Sequence, residues 1–288
     1  MDKEQAAVER LRLAAEMSEQ HYGKPLLVTY SGGKDSDVCL ELARRSGIRY
    51  EVQHSHTTAD APETVRHVRR QFAQLEAAGV RCTVDYPVYK GRRTSMWGLI
   101  VQKGIPPTRL VRYCCTVLKE GAGDGRMVTT GVRWAESRAR TGRGVLETAA
   151  DKREGRLVLA NDNDDRRRLL ERCQVRAKTV CNPVIDWTEA DVWEFLRDAK
   201  AEVNPLYGRG FTRVGCIGCP LAGRRQREME FARYPQYRKM YIHAFGRMLE
   251  ARQAAGKGSR SWRTGLDVYR WWMGEDPAQI RFWEDEGV

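Results

Sequence analysis

Six consecutive residues, Ser31-Gly32-Gly33-Lys34-Asp35-Ser36, bring together two glycines, two hydroxyls, an ammonium and a carboxylate. That combination suits an oxyanion. The glycines let the backbone turn tightly, the ammonium supplies a point charge, and Ser31 and Ser36 offer hydroxyl donors. An apolar, β-prone run over Leu26–Tyr30 precedes the loop, and a helical pattern with apolar Val38, Leu40, Leu42 and Ala43 follows it. A glycine-rich loop between strand and helix aims unpaired N–H groups and the positive end of the helix dipole at a phosphate. The spacing is not the GxxxxGK[ST] of kinases and GTPases.

Cysteines form the second chemical constellation. Cys216-x-x-Cys219 places two thiols on a glycine-containing turn, and Cys114-Cys115 supplies another pair about a hundred residues earlier. The CxxC spacing serves zinc, iron–sulfur clusters and redox pairs alike. Adjacent cysteines are poor disulfide partners, because so small a ring strains the geometry. Four sulfurs suit Zn2+ or a [4Fe–4S] cluster, and ligand chemistry alone does not choose. Cys39, Cys82, Cys173 and Cys181 are read as structural. His54 and His56 read as polar site-lining or surface residues, and His67-Val-Arg-Arg70 as a solvated helix face.

The elements that must position these residues follow from pattern. The first 22 residues predict an amphipathic helix with Val8, Leu11, Ala15 and Met17 on its apolar stripe, closed by Gly23 and Pro25. Strands are expected at Leu26–Tyr30, Ile48–Ser55, Val80–Tyr86, Met127–Val132 and Val180–Ile185. Between them, helices are expected from Pro62 to about Ala78, over Thr94–Lys103, and from Trp187 with Thr188 as cap and Asp191 at the capping-box position. Strands alternating with helices predict parallel βαβ crossovers, with ligands at the carboxyl ends of the strands. Residues 141–174 read as a polar, loop-rich insertion. Residues 225–249 read as one basic helix whose aromatics, at helical spacing, are core rather than a base-stacking platform.

The chain has 288 residues and a formal net charge of +12, with pI near 9.5 and mean hydropathy −0.62. Such a balance favours acidic partners: nucleotides, nucleic acid or an anionic surface. No apolar run reaches membrane-spanning length and no signal-peptide pattern opens the chain, so a cytoplasmic setting with no membrane partner is expected. Reduced or metal-bound cysteines agree with that setting.

The loop resembles the PP-loop of the ATP pyrophosphatases, which cleave ATP between its α and β phosphates. The ordered set of motifs also resembles the PAPS-reductase family. Its pieces are Pro62-Glu63-Thr64, Arg112-Tyr-Cys-Cys…Lys119, Gly131-Val-Arg-Trp-Ala-Glu-Ser…Arg138, Pro183-Val-Ile-Asp-Trp, Asn204-Pro-Leu-Tyr207 and the CxxC, from Leu26 to Pro220. The resemblance implies an α/β, parallel-sheet, doubly wound PP-loop domain over 26–220. An N-terminal helix over 1–25 precedes it, and a helical, basic and aromatic region over 221–288 follows. It implies ATP and Mg2+ contacts at Ser31, Gly32, Gly33, Lys34, Asp35, Ser36 and Gly131, with Lys34, Asp35, Arg133 and Arg138 stabilising charge at phosphorus. It further implies a [4Fe–4S] cluster on Cys114, Cys115, Cys216 and Cys219.

Two departures bear on function. His56 and Thr58 stand where the family segment carries Asp and Gly. No cysteine follows Cys219, whereas the sulfonucleotide reductases attack sulfur with a later cysteine. The expectation is therefore an ATP pyrophosphatase that adenylates an acceptor oxygen so that sulfur can enter. Among such relatives it looks most like the DndC-like component of DNA phosphorothioation, with DNA as acceptor and a cysteine desulfurase as partner. Arg66, Arg69, Arg70 and Arg224-Arg225-Gln-Arg227 are the expected phosphate contacts. A sulfonucleotide reductase, a tRNA-thiolating enzyme and a zinc-ribbon nucleic-acid-binding protein are the alternatives.

Overall fold

The computed structural model describes residues 2–121, 123–148, 158–159, 178–258 and 261–275. Contacts divide the chain into two compact units that interleave along the sequence. The first comprises Met1–Ser55, Pro62–Asp85 and Gly121–Val214, and the second His56–Ala61, Tyr86–Glu120 and Gly215–Val288. The sequence-based division at 25/26 and 220/221 follows chain order instead.

The first unit is a parallel-stranded, doubly wound α/β core. Its sheet joins β1 (Leu26–Thr29), β2 (Tyr50–Ser55), β3 (Cys82–Asp85), β6 (Met127–Thr129) and β9 (Thr179–Cys181) in parallel, in the order β3-β2-β1-β6-β9. The chain walks outward from β1 to β3 and then returns to the other side of β1 as β6. Strand order therefore reverses between β1 and β6, and such reversal points are where open α/β sheets hold ligands. The loop of interest leaves the carboxyl end of β1, and Gly131 lies just beyond the carboxyl end of β6.

Helices α1 (Lys3–Tyr22), α2 (Lys34–Ser46) and α5 (Glu189–Asp198) share one core with the sheet. Leu11, Leu26, Val38, Leu42, Met127 and Phe195 are buried there. Helix α3 (Pro62–Ala77) adds Val68, Phe72 and Leu75 beside Val28 and Val52. Helix α1 is capped by Asp2, whose side chain accepts from the Glu4 N–H, and ends at Gly23 with φ 62°. Thr188 and Asp191 form the expected capping box on α5.

Among its described residues the second unit holds the β4 (Val88–Tyr89)–β5 (Arg92–Arg93) hairpin and its longer helices. These are α4 (Met96–Lys103), α6 (Arg224–Arg233), α7 (Pro235–Ala254) and α8 (Gly265–Met273). Phe231, Tyr241, Phe245 and Trp272 are buried against one another, so these aromatics are core, as their spacing predicts.

Several expectations change. Residues 141–174 are not wholly loop: β7 (Leu146–Thr148) and β8 (Val158–Leu159) add two antiparallel strands to the sheet edge beyond β9. The acidic and basic run at 161–168 lies outside the described residues, as does Cys173. The basic helix is broken at Tyr234, because Pro235 has no N–H to continue a ladder and sits well at a first helical position. His67 is not on a solvated face; it is fully buried, while Arg66, Arg69 and Arg70 beside it are exposed. Arg227 is also buried, stacked 4.0 Å from the Trp272 ring, which removes it from the expected phosphate contacts. No helix among the described residues is long and apolar enough to cross a membrane.

Leu42 is wholly buried between α2 and its neighbours. Leu42→Ala is expected to cost about 2–5 kcal/mol, read as a lower urea midpoint. An unchanged midpoint would contradict the packing described.

Candidate functional site

The loop is braced from within before any ligand arrives. Gly32 has φ 73°, and a Cβ there would lie 2.9 Å from Val68 Cγ2, so only glycine fits. Ser36 Oγ accepts from the Gly33 and Ser31 N–H groups at 3.2 and 3.3 Å and donates to the Gly33 carbonyl at 2.7 Å. Its proton is therefore spent on the loop, not free for a ligand as the sequence suggested. Asn204 Nδ2 donates to the Gly32 carbonyl at 2.8 Å and to Thr64 Oγ1 at 3.1 Å. A carbonyl held backward in this way keeps its lone pairs off the anion position.

Four charged side chains close the site. Lys34 is buried, with Nζ 3.2 Å from Asp35 Oδ2 and 3.5 Å from Glu189 Oε1. Arg133, only 2% exposed, donates from Nε to Asp35 at 2.7 Å and from Nη2 to Glu189 at 2.8 Å. Its Nη1 reaches the Trp187 carbonyl at 3.3 Å. Two cations thus alternate with two carboxylates at the start of α2. Gly131 is required by close approach, since a Cβ there would lie 2.7 Å from the Asp35 carbonyl oxygen. Arg138, expected beside Arg133, is exposed, and among the described residues no hydrogen bond or ion pair ties its side chain to the loop.

Glu189, Asn204 and Tyr207 are contributors that sequence reasoning passed over. Asn204-Pro-Leu-Tyr207 was visible as a motif, but not which atoms it would touch. Tyr207 Oη accepts from the Lys34 N–H at 2.9 Å, seating a neutral phenol on the first amide of α2. Burial pushes the Tyr207 pKa up, so the phenol stays protonated. Beneath the loop, Tyr30 donates to Asp37 Oδ1 at 2.6 Å, and His67 Nε2 lies 3.1 Å from the same oxygen. Burial raises the Asp37 pKa, against the pull of His67 and Tyr30.

The four expected cluster cysteines all fall in the second unit, with thiolate charges near enough to act on one another. Cys216 is held by an isolated bridge to Asp60, and its thiol lies 3.4 Å from Thr57 Oγ1. The Cys219 N–H closes the turn onto the Cys216 carbonyl at 3.2 Å, and Glu230 accepts from the Gly218 N–H at 2.7 Å. Arg112 Nη2 lies 3.6 Å from Cys115 Sγ. A hydrogen bond from Cys114 lowers the Cys115 pKa against burial, helped by Arg112 and Lys119, while the same contact raises Cys114. Burial raises Cys216, and Lys119 opposes it.

The cysteines do not show the mutual ligand spacing of a single ion. Among the described residues the group that does is His54, within β2, with His56 and Asp60 just after it in the chain. His56 Nδ1 is 3.5 Å from Asp60 Oδ2.

A family model described as the phosphoadenosine phosphosulfate reductase domain matches residues 25–222. An uncharacterized protein of Methanocaldococcus jannaschii is 26% identical over 207 residues, 68% of this chain. The chain spans 36% and 41% of the lengths of two such proteins from that organism. An adenosine 5′-phosphosulfate reductase from Burkholderia cepacia is 44% identical over 52 residues, which is 18% of this chain and 21% of that protein. The crystal structure of the phosphoadenylyl-sulfate reductase from Candida auris aligns at 18% identity and TM-score 0.48, covering 74% of this chain and 89% of that one.

Two outcomes test the geometry. Tyr207→Phe removes a competitor for the Lys34 amide. Pyrophosphate is therefore expected to bind roughly two- to tenfold tighter by calorimetry, the net worth of one hydrogen bond. Weaker binding would make the phenol part of the seat instead. For Glu189, burial opposes ionisation, but the Arg133 hydrogen bond and the Lys34 charge prevail and hold its pKa below the usual carboxylate range. Its contribution to stability is then fully present above the unfolded-state pKa and is lost as pH falls through the lowered one. The acid limb of the melting-temperature profile is expected to flatten in Glu189→Gln; an unaltered limb would contradict the pairing.

Proposed function

Because the chain belongs to the phosphoadenosine phosphosulfate reductase domain family, we propose that it is an adenine-nucleotide enzyme of the PP-loop type, acting on a sulfonucleotide. The observation that carries the nucleotide part is the braced loop at the β1/β6 reversal. There the start of α2, Lys34 and Arg133 converge, and Asp35 and Glu189 restrain both cations. Preorganised donors and cations of this kind stabilise charge that develops on a phosphate or sulfate oxygen. The similarity to adenosine 5′-phosphosulfate reductases supports the sulfonucleotide part. In that chemistry a thiolate attacks the sulfate sulfur and the S–O bond to AMP breaks. A second thiol then releases sulfite as a disulfide forms, so two thiols supply the two electrons. An added dithiol supplies both thiols in this reading, which leaves Cys114, Cys115, Cys216 and Cys219 free to hold a cluster.

The loop itself favours a second reading. Lys34 and a complete Ser-Gly-Gly-Lys-Asp-Ser loop suit the β,γ-pyrophosphate of ATP, which a sulfonucleotide lacks. In this reading Asp35 helps hold Mg2+ and an acceptor oxygen displaces pyrophosphate. The terminal sulfur of a desulfurase-borne persulfide then displaces AMP and a thiol cleaves the remaining S–S bond, with a DNA backbone phosphate as the acceptor the sequence resemblance implies.

A [4Fe–4S] cluster on Cys114, Cys115, Cys216 and Cys219 is compatible with both readings. One observation bears on it: the four thiols share one unit. A tetrahedral zinc centre wants its four sulfurs within about 4 Å of one another, tighter than is seen here, whereas a four-iron cluster is larger. When bound it would supply redox capacity or a rigid support for the surrounding backbone.

Anaerobic protein incubated with adenosine 5′-phosphosulfate and a dithiol is expected to release sulfite and AMP. Release of AMP and pyrophosphate from ATP, with no sulfite, would select the second reading. Lys34→Ala and Ser36→Ala are both expected to abolish turnover with little change in melting temperature. Full turnover in both would reject the loop as the nucleotide site.

A further inference from the structure

The stretch Tyr86–Lys119 contains seven Lys or Arg and no Asp or Glu. At the chain's average of 38 acidic residues in 288, a stretch of that length would carry about four or five. Acid-free, it contrasts with the first unit, where exposed cations such as Arg70 and Arg45 are paired with Glu202 and Glu4. All of it lies in the second unit, and most of its cations are on the surface.

The stretch opens with the β4–β5 hairpin, turned at Lys90 and Gly91, both with positive φ. Its exposed face mixes cations with apolar groups: Tyr86 is 44% and Val88 55% exposed, beside exposed Lys90, Arg92 and Arg93. Cations lie over rings here. Arg93 is 4.6 Å from the Tyr86 centroid, and Lys103 is 4.4 Å from Tyr89 and 5.9 Å from Tyr113. Tyr89, Lys103 and Tyr113 thus form a ladder from the hairpin to the residue next to Cys114. Farther along, Leu110 is 95% exposed, between Arg109 and Arg112.

We propose that the surface of this stretch, centred on the Tyr86–Arg93 hairpin, binds single-stranded nucleic acid and leads it toward the Cys114-Cys115 pair. The hairpin cations Lys90, Arg92 and Arg93, drawn from a stretch without acids, meet phosphodiesters, and exposed rings and aliphatic side chains meet unstacked bases. Duplex DNA presents phosphates but keeps its bases stacked, so it leaves the apolar half of the surface without a partner. An acidic protein meets the charges alone. The inference does not depend on which nucleotide the Ser31–Ser36 loop takes, since none of its residues belong to that loop.

The test is fluorescence anisotropy with a labelled single-stranded oligodeoxynucleotide, the same sequence as duplex, and polyglutamate, titrated with the full-length protein. The single strand is expected to bind at least tenfold tighter than polyglutamate, and tighter than duplex. Lys90→Ala/Arg92→Ala/Arg93→Ala is expected to weaken single-strand binding at least tenfold. It should also reduce the slope of log K against log salt by about 2, or 0.7 for each lost contact. Arg49→Ala/Arg81→Ala, on the first unit where both cations are ion-paired, is expected to stay within twofold of the unmodified protein. If the triple variant does not fold, Arg92→Ala alone serves, with a slope change of about 0.7. Absence of single-strand binding, equal binding of polyglutamate or duplex, or hairpin variants that bind like the unmodified protein would each overturn the proposal.

Discussion

The first unit depends on one constraint: two buried or nearly buried cations, Lys34 and Arg133, must be held beside the start of α2 without being neutralised outright. Asp35 and Glu189 meet this by sharing themselves between both cations. An isolated buried cation carries a desolvation cost of several kcal/mol, and an exclusive ion pair would leave little field for a ligand. The alternating arrangement avoids both. Its placement at the sheet's reversal point follows from topology, because β1 and β6 deliver the loop and Gly131 side by side.

Around that constraint the site is kept in a binding shape by neutral groups. Asn204 turns the Gly32 carbonyl away, Ser36 ties the loop to itself, and Tyr207 occupies the Lys34 amide. A neutral phenol is a weaker partner for that amide than an anion, since charge-assisted hydrogen bonds are roughly twice as strong. The seat is therefore filled but not blocked. In the second unit the logic is inverted: thiols that carry negative charge when ionised are surrounded by Arg112 and Lys119.

How much of this was legible in the sequence varies with the range of the interaction. The glycine loop, the caps of α1 and α5 and the parallel core announce themselves through local pattern. Arg133 could be named because it sits in a recognisable motif, yet its equal there, Arg138, stays outside the ion-pair network. Only tertiary contact separates the two. Glu189 reads locally as a first-turn acid that suits a helix N-terminus, and nothing in its neighbours announces a bridge to Arg133 56 residues earlier. His67 and Arg227 mislead for a related reason: charged company in sequence says little about which single side chain turns inward. Strands β7 and β8 are too short for periodicity to find.

The central claim is that the amides opening α2, with Lys34 and Arg133, form an anion seat. The most direct measurement is a pyrophosphate titration followed by the backbone amide resonances of the protein. Saturable shifts largest at Gly32–Ser36 and at Gly131 are expected. Shifts that fall elsewhere, or none at all, would contradict the account.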